Sequence, residues 1–112
     1  MKITEDYVSF ETSKLLKENG FNPLECGVYY STTTGKRTTE PLTSLIACPT
    51  HQRACKWLRE VHNIHIIVFR YDNSAFPYIW YIFGHNKEKP QKANSYEEAV
   101  EAALKYVLEN LI

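Results

Sequence analysis

The alternation of apolar and polar positions is clearest in the middle of the chain. Ile64 to Tyr71 and Phe76 to Phe83 are two runs of β-branched and aromatic residues, separated by the polar break Asp72-Asn73-Ser74. Such runs suit a pleated, largely buried surface, and an Asp/Asn/Ser cluster supplies turn chemistry, so the pattern predicts a β-hairpin. Period-two alternation puts Phe76, Tyr78, Trp80 and Ile82 on one face and Ile79, Tyr81 and Phe83 on the other. Both faces are apolar. One is expected to hold Trp57 and the last helix, which leaves the other to be covered by loops, a partner or solvent.

Three helical patterns flank the hairpin. Val8, Thr12, Leu15 and Leu16 share a helical face, with Thr4 as the expected N-cap; Gly20 and Phe21 supply the left-handed residue and apolar contact of a Schellman motif, ending the helix near Asn19. Thr50 caps a second helix whose Ala54, Trp57, Leu58 and Val61 recur at i, i+3, i+4 and i+7, and Asn63 terminates it with the strand following at Ile64. Trp57 is the expected core anchor. Ser95 and Glu98 form a capping box ahead of Val100, Ala103, Leu104, Val107, Leu108 and Leu111, which line one side of a third helix.

The remaining segments are more polar. Val28 to Thr32 has strand character, and Thr34-Gly35-Lys36 turns it into a second short strand over Arg37 to Thr39. Residues 31–44 contain eight Ser or Thr as well as Pro41, so an exposed edge strand and loop, with the least order in the chain, is expected there. Lys87 to Lys92 reads as a polar loop. The chain is thus expected to be one α+β domain over residues 1–112, an antiparallel sheet of about four strands with three helices in the order α-β-β-α-β-β-α.

Composition narrows the class without naming an activity. An apolar fraction of 44% and a charged fraction of 23% are those of an ordinary globular domain. Thirteen basic residues balance thirteen acidic ones, so no global field draws the chain to nucleic acid or an anionic membrane. Three cysteines, Cys26, Cys48 and Cys55, make an odd number, and the Met-Lys-Ile-Thr-Glu-Asp start lacks an apolar signal core, so a reduced cytoplasmic setting is expected. The nearly apolar run from Phe76 to Phe83 is far shorter than the roughly 20 residues of a membrane-spanning helix.

Three stretches together carry a resemblance. They are the opening Lys2-Ile-Thr-Glu-Asp-Tyr-Val-Ser-Phe-Glu-Thr-Ser-Lys-Leu-Leu-Lys-Glu-Asn-Gly-Phe21, the central Ala47-Cys-Pro-Thr with Ala54-Cys-Lys-Trp-Leu-Arg-Glu-Val-His-Asn-Ile-His-Ile66, and the closing Asn94-Ser-Tyr-Glu-Glu-Ala-Val-Glu-Ala-Ala-Leu-Lys-Tyr106. In this order the chain resembles a group of small uncharacterised proteins of gut Bacteroides and of their phages and mobile elements. The resemblance implies a bacterial or phage cytoplasmic α+β protein. It brings no activity and no functional residues.

The chemistry-bearing residues are sparse. His51, Cys55 and His62 fall within about 40° on an ideal helix, but His51 and His62 lie about 16 Å apart along it, too far to share one ion. Cys48, His51 and Cys55 are at best a partial set, so no metal site is expected. Cys55 with His51 one turn before it has a base but no orienting third group or oxyanion donor, so a thiol or metal-assisted enzyme around Cys55 is the third-ranked alternative and no catalytic residue is assigned. The glycines are isolated, which excludes a phosphate-cradling loop, and no cofactor is implied. Glu97, Glu98 and Glu101 read as the solvated start and face of the last helix. The aromatic hairpin is the more productive surface, with Tyr78, Trp80, Tyr81 and Arg70 as the candidate binding residues. They point to a non-enzymatic interaction module that meets a protein partner or a second copy of itself. Stacking of nucleic-acid bases, with Arg70, Lys87, Lys89 and Lys92 as a basic flank, is the runner-up, and the zero net charge argues against it.

Overall fold

In a computed structural model, residues 5–21, 28–31, 36–38, 45–71, 75–84 and 91–112 are described. They form α1 (Phe10–Glu18), β1 (Tyr29–Ser31), β2 (Arg37–Thr38), β3 (Leu45–Ala47), α2 (His51–His62), β4 (Ile66–Arg70), β5 (Tyr78–Ile82), β6 (Gln91–Ala93) and α3 (Tyr96–Asn110). The α+β class holds. The single four-stranded sheet and its element order do not: there are two antiparallel sheets of three strands, ordered β2-β1-β3 and β4-β5-β6.

The two additional strands explain the difference. β3 pairs with β1, Tyr30 opposite Ile46, and makes β1 a central strand rather than half of a lone hairpin. It is three residues long and directly follows the Thr-rich stretch, too short for alternation to be legible. β6 pairs with β5, Trp80 opposite Gln91 and Tyr78 opposite Ala93. Only Ala93 of its three residues is buried. A short, polar edge strand is an ordinary way to blunt a sheet edge, and it looks like a loop in sequence. The expectation of least order in residues 31–44 and the hairpin turn at residues 72–74 fall largely on residues outside those described.

The predicted hairpin is present in register, Val68 opposite Trp80 and Ile66 opposite Ile82. Its inner face packs under α3. Trp80 and Ile82 join Val100, Ala103, Leu104, Val107 and Leu108 in one core with Leu58 and Ala54 of α2 and Leu16 of α1. Ser95 caps α3 by accepting from the Glu98 N–H at 3.2 Å, while the Glu98 carboxylate reaches back to the Asn94 N–H at 3.3 Å, one residue beyond the position expected for a reciprocal box.

The helix ends follow the sequence more closely than the starts. The Gly20 N–H donates to the Lys17 carbonyl and the Phe21 N–H to the Leu16 carbonyl, a complete Schellman motif with Gly20 at φ 93°. Asn63 closes α2 in the left-handed region at φ 54°, but its strand begins at Ile66, not Ile64. α1 begins at Phe10 under a Ser9 cap, several residues later than expected. The preceding segment is held extended by α2: the His51 N–H donates to the Asp6 carbonyl and the Val8 N–H to the Pro49 carbonyl, at 2.8 and 3.1 Å. Those tertiary bonds satisfy groups that a longer helix would have paired internally. Two members of the expected α2 stripe sit at its margin. Val61 is 61% exposed, and Trp57 is only partly buried, packed edge-on against Phe21 and His62.

Candidate functional site

Alternation along β4 and β5 divides the candidate residues between two faces. Trp80 is buried in the core, its ring 5.8 Å from that of Tyr106. Tyr78 shares that inner face, edge-on to Tyr96, with the Arg70 guanidinium 5.7 Å from its ring centre. Tyr81 alone of the four lies on the outer face, edge-on to Phe69. Lys87 and Lys89 lie outside the described residues, and Lys92 is the one basic residue of the three strands that alternation sets on the outer face.

The outer face is apolar across β4 and β5, with Lys92 at its β6 edge. Ile67 stands opposite Tyr81 and Phe69 opposite Ile79; the Tyr71 N–H donates to the Pro77 carbonyl and the Phe83 N–H to the His65 carbonyl, so the ladder runs on in register and alternation sets Tyr71 and Phe83 on the same side. Ile79, central in the sheet, is 8% exposed, whereas Phe69, Tyr71 and Phe83 are 41%, 62% and 66% exposed. A whole aromatic side chain buries 150–250 Å². These three therefore leave about 250–420 Å² in the open, comparable to the largest apolar patch of a typical monomer. The described element that packs extensively on β4 and β5 is α3, on the inner face.

A second constellation was missed in sequence. Glu101, read as a solvated helix face, is half-buried and joins three elements. Its Oε1 accepts from the Ser9 N–H at 2.6 Å and lies 3.1 Å from His51 Nε2, and its Oε2 accepts from the Thr12 hydroxyl at 2.7 Å. Burial pushes the carboxyl up, but the bonds from His51, Thr12 and Ser9 outweigh that and hold it below the usual carboxylate range. On an ideal helix Glu101 lies about 60° from Leu104, on the border of the apolar stripe, where sequence cannot tell a flank from a solvated side. The buried Thr12 is its counterpart in α1.

Beside this cluster residues of α2, the start of α3 and β4 line a cleft of about 390 Å³. Ile66, Val68 and Val100 give it apolar surface, and Glu5, Asp6 and Arg59 bring charge to it. Cys55 also lines it, but burial pushes its thiol up to about 11 despite the Arg59 charge, so its thiolate is scarce near neutrality. That environment is the reverse of an activated nucleophile. Cys48 is buried and Cys26 lies outside the described residues. Among the described residues, no group of three or more His, Cys, Asp or Glu side chains is placed to hold a metal ion, and no helix is long and apolar enough to cross a membrane. Comparison with family models, curated proteins and solved structures found no match to the chain.

Proposed function

We propose that the protein is a non-enzymatic interaction module of bacterial or phage origin, and that the outer face of β4–β5–β6 joins it to a second copy of itself. The carrying observation is the exposure of Phe69, Tyr71 and Phe83 on one continuous sheet face. Two such faces pack about 10 Å apart when sheets stack, which suits a symmetric sandwich. An interface of standard size buries about 800 Å² per partner, so the patch would form its apolar centre and surrounding polar residues its rim. Charge supports self-association over a charged partner: the chain is formally neutral, and Lys92 is the face's one formal charge in the described strands. Base stacking draws less support, because Trp80 is engaged by α3 and only Tyr81 of the candidate aromatics lies outside.

Sedimentation equilibrium over a hundredfold concentration range tests this reading. The wild-type chain is expected to shift from monomer toward dimer, and Phe83→Lys, at a position already 66% exposed, to remain folded and monomeric. A wild-type chain that stays monomeric throughout contradicts it.

A further inference from the structure

The cleft between α2, α3 and β4 has its charges sorted along its length. The Asp6 carbonyl is bound to the His51 N–H, and Tyr7 pairs with Thr50, so Glu5 and Asp6 are tethered at the N-terminal end of α2. Arg59 stands two turns further along the same helix. At 1.5 Å per residue, His51 and Arg59 are about 12 Å apart along the axis. Among the described residues, no hydrogen bond or ion pair engages the side chains of Glu5, Asp6 or Arg59. Ile66, Val68 and Val100 line the same cleft with apolar surface.

From this arrangement we infer that the cleft binds a short zwitterionic peptide of about three residues, its ammonium toward Glu5 and Asp6, its carboxylate on Arg59 and its middle side chain on Ile66 and Val68. An extended chain advances 3.3–3.6 Å per residue, so three residues span about 10–11 Å, close to the axial distance from His51, where Asp6 is tethered, to Arg59. The volume falls at the small end of the range for ligand sites, and an apolar body with a few fixed polar contacts is their usual make-up. A guanidinium holds a carboxylate by a planar pair of N–H bonds, which suits Arg59 to the C-terminal end. A single free amino acid spans only about a third of that axial distance. The site lies on the opposite side of β4 from the outer aromatic face, so its occupancy does not depend on self-association.

The test uses the tripeptide Ala-Val-Ala with free termini, titrated into ¹⁵N-labelled protein and followed through the amide signals of Arg59, Ile66 and Val68. Saturable shifts at these residues are expected, with affinity falling at least tenfold when the peptide is N-acetylated or C-amidated. Arg59→Gln is expected to weaken the free peptide tenfold while leaving the amidated one unchanged, and Glu5→Gln with Asp6→Asn to do the same with respect to the acetylated one. All three positions are exposed, so the variants are expected to keep the wild-type melting curve. The inference is overturned if 10 mM peptide moves none of these signals, or if blocking either terminus leaves the affinity unchanged.

Discussion

Glu101 holds α1, α2 and α3 together through one carboxylate, and its removal should be felt across the fold. Three hydrogen bonds end on it, at 2.6, 2.7 and 3.1 Å. Bonds to charged groups are worth about 1.5–3 kcal/mol each when isolated. Because these three share one partly solvated group they are not additive, and Glu101→Ala is expected to cost about 2–4 kcal/mol. Glu101→Gln keeps one carbonyl acceptor for Ser9 or His51 but loses the charge, and about half that cost is expected. Urea unfolding followed by circular dichroism measures both. With a slope of about 2 kcal/mol per molar, the middle of the range for a small domain, the Ala midpoint should fall by about 1–2 M. The pH dependence is a stricter check. The folded carboxyl titrates below its ordinary value, so the unfolded chain takes up a proton first as the pH falls. The stabilisation is therefore complete above the ordinary carboxylate pKa of 4.5 and fades as the pH drops through the lower folded value. The gap between wild type and Glu101→Gln should narrow over that window. A Gln variant with an unchanged midpoint, or with a gap independent of pH, would refute the role assigned to the carboxylate.

Further outcomes follow from single environments. Leu104 is fully buried at the centre of the core, so Leu104→Ala should lower stability by about 2–5 kcal/mol in the same urea assay. Asn63 sits in the left-handed region, so Asn63→Gly should leave the midpoint nearly unchanged while Asn63→Val costs about 1–2 kcal/mol. The Cys55 thiol is pushed up to about 11 by burial, so it should react with iodoacetamide at pH 8 more than about tenfold more slowly than free cysteine; a faster rate would reopen a nucleophilic role.

What could be seen in the sequence was what repeats locally. Alternation over five residues gave β4 and β5, and the caps at Thr50 and Ser95 gave the starts of α2 and α3, because each depends on residues within a turn of one another. β3 and β6 were not legible, since three residues cannot display a period and their pairing comes from partners elsewhere in the chain. The late start of α1 has the same cause: the Asp6 carbonyl accepts from the His51 N–H and the Val8 N–H donates to the Pro49 carbonyl, partners over forty positions away. The hairpin's two apolar faces were legible, but which aromatic faced α3 was not. Strand alternation pairs Trp80 with Tyr78 and sets Tyr81 apart, and only the placement of α3 decides that Trp80 is core and Phe83 is surface. Glu101 escaped for a related reason, because its partners Ser9, Thr12 and His51 lie on other elements.

The central claim, that the outer β4–β5–β6 face meets a second copy, is tested most directly by isotope-filtered nuclear Overhauser spectra on an equal mixture of ¹³C-labelled and unlabelled chains. Contacts between the copies are expected among the rings of Phe69, Tyr81 and Phe83 and the methyls of Ile67. Contacts between copies that involve other surfaces and none of these side chains, or none at any concentration, would contradict it.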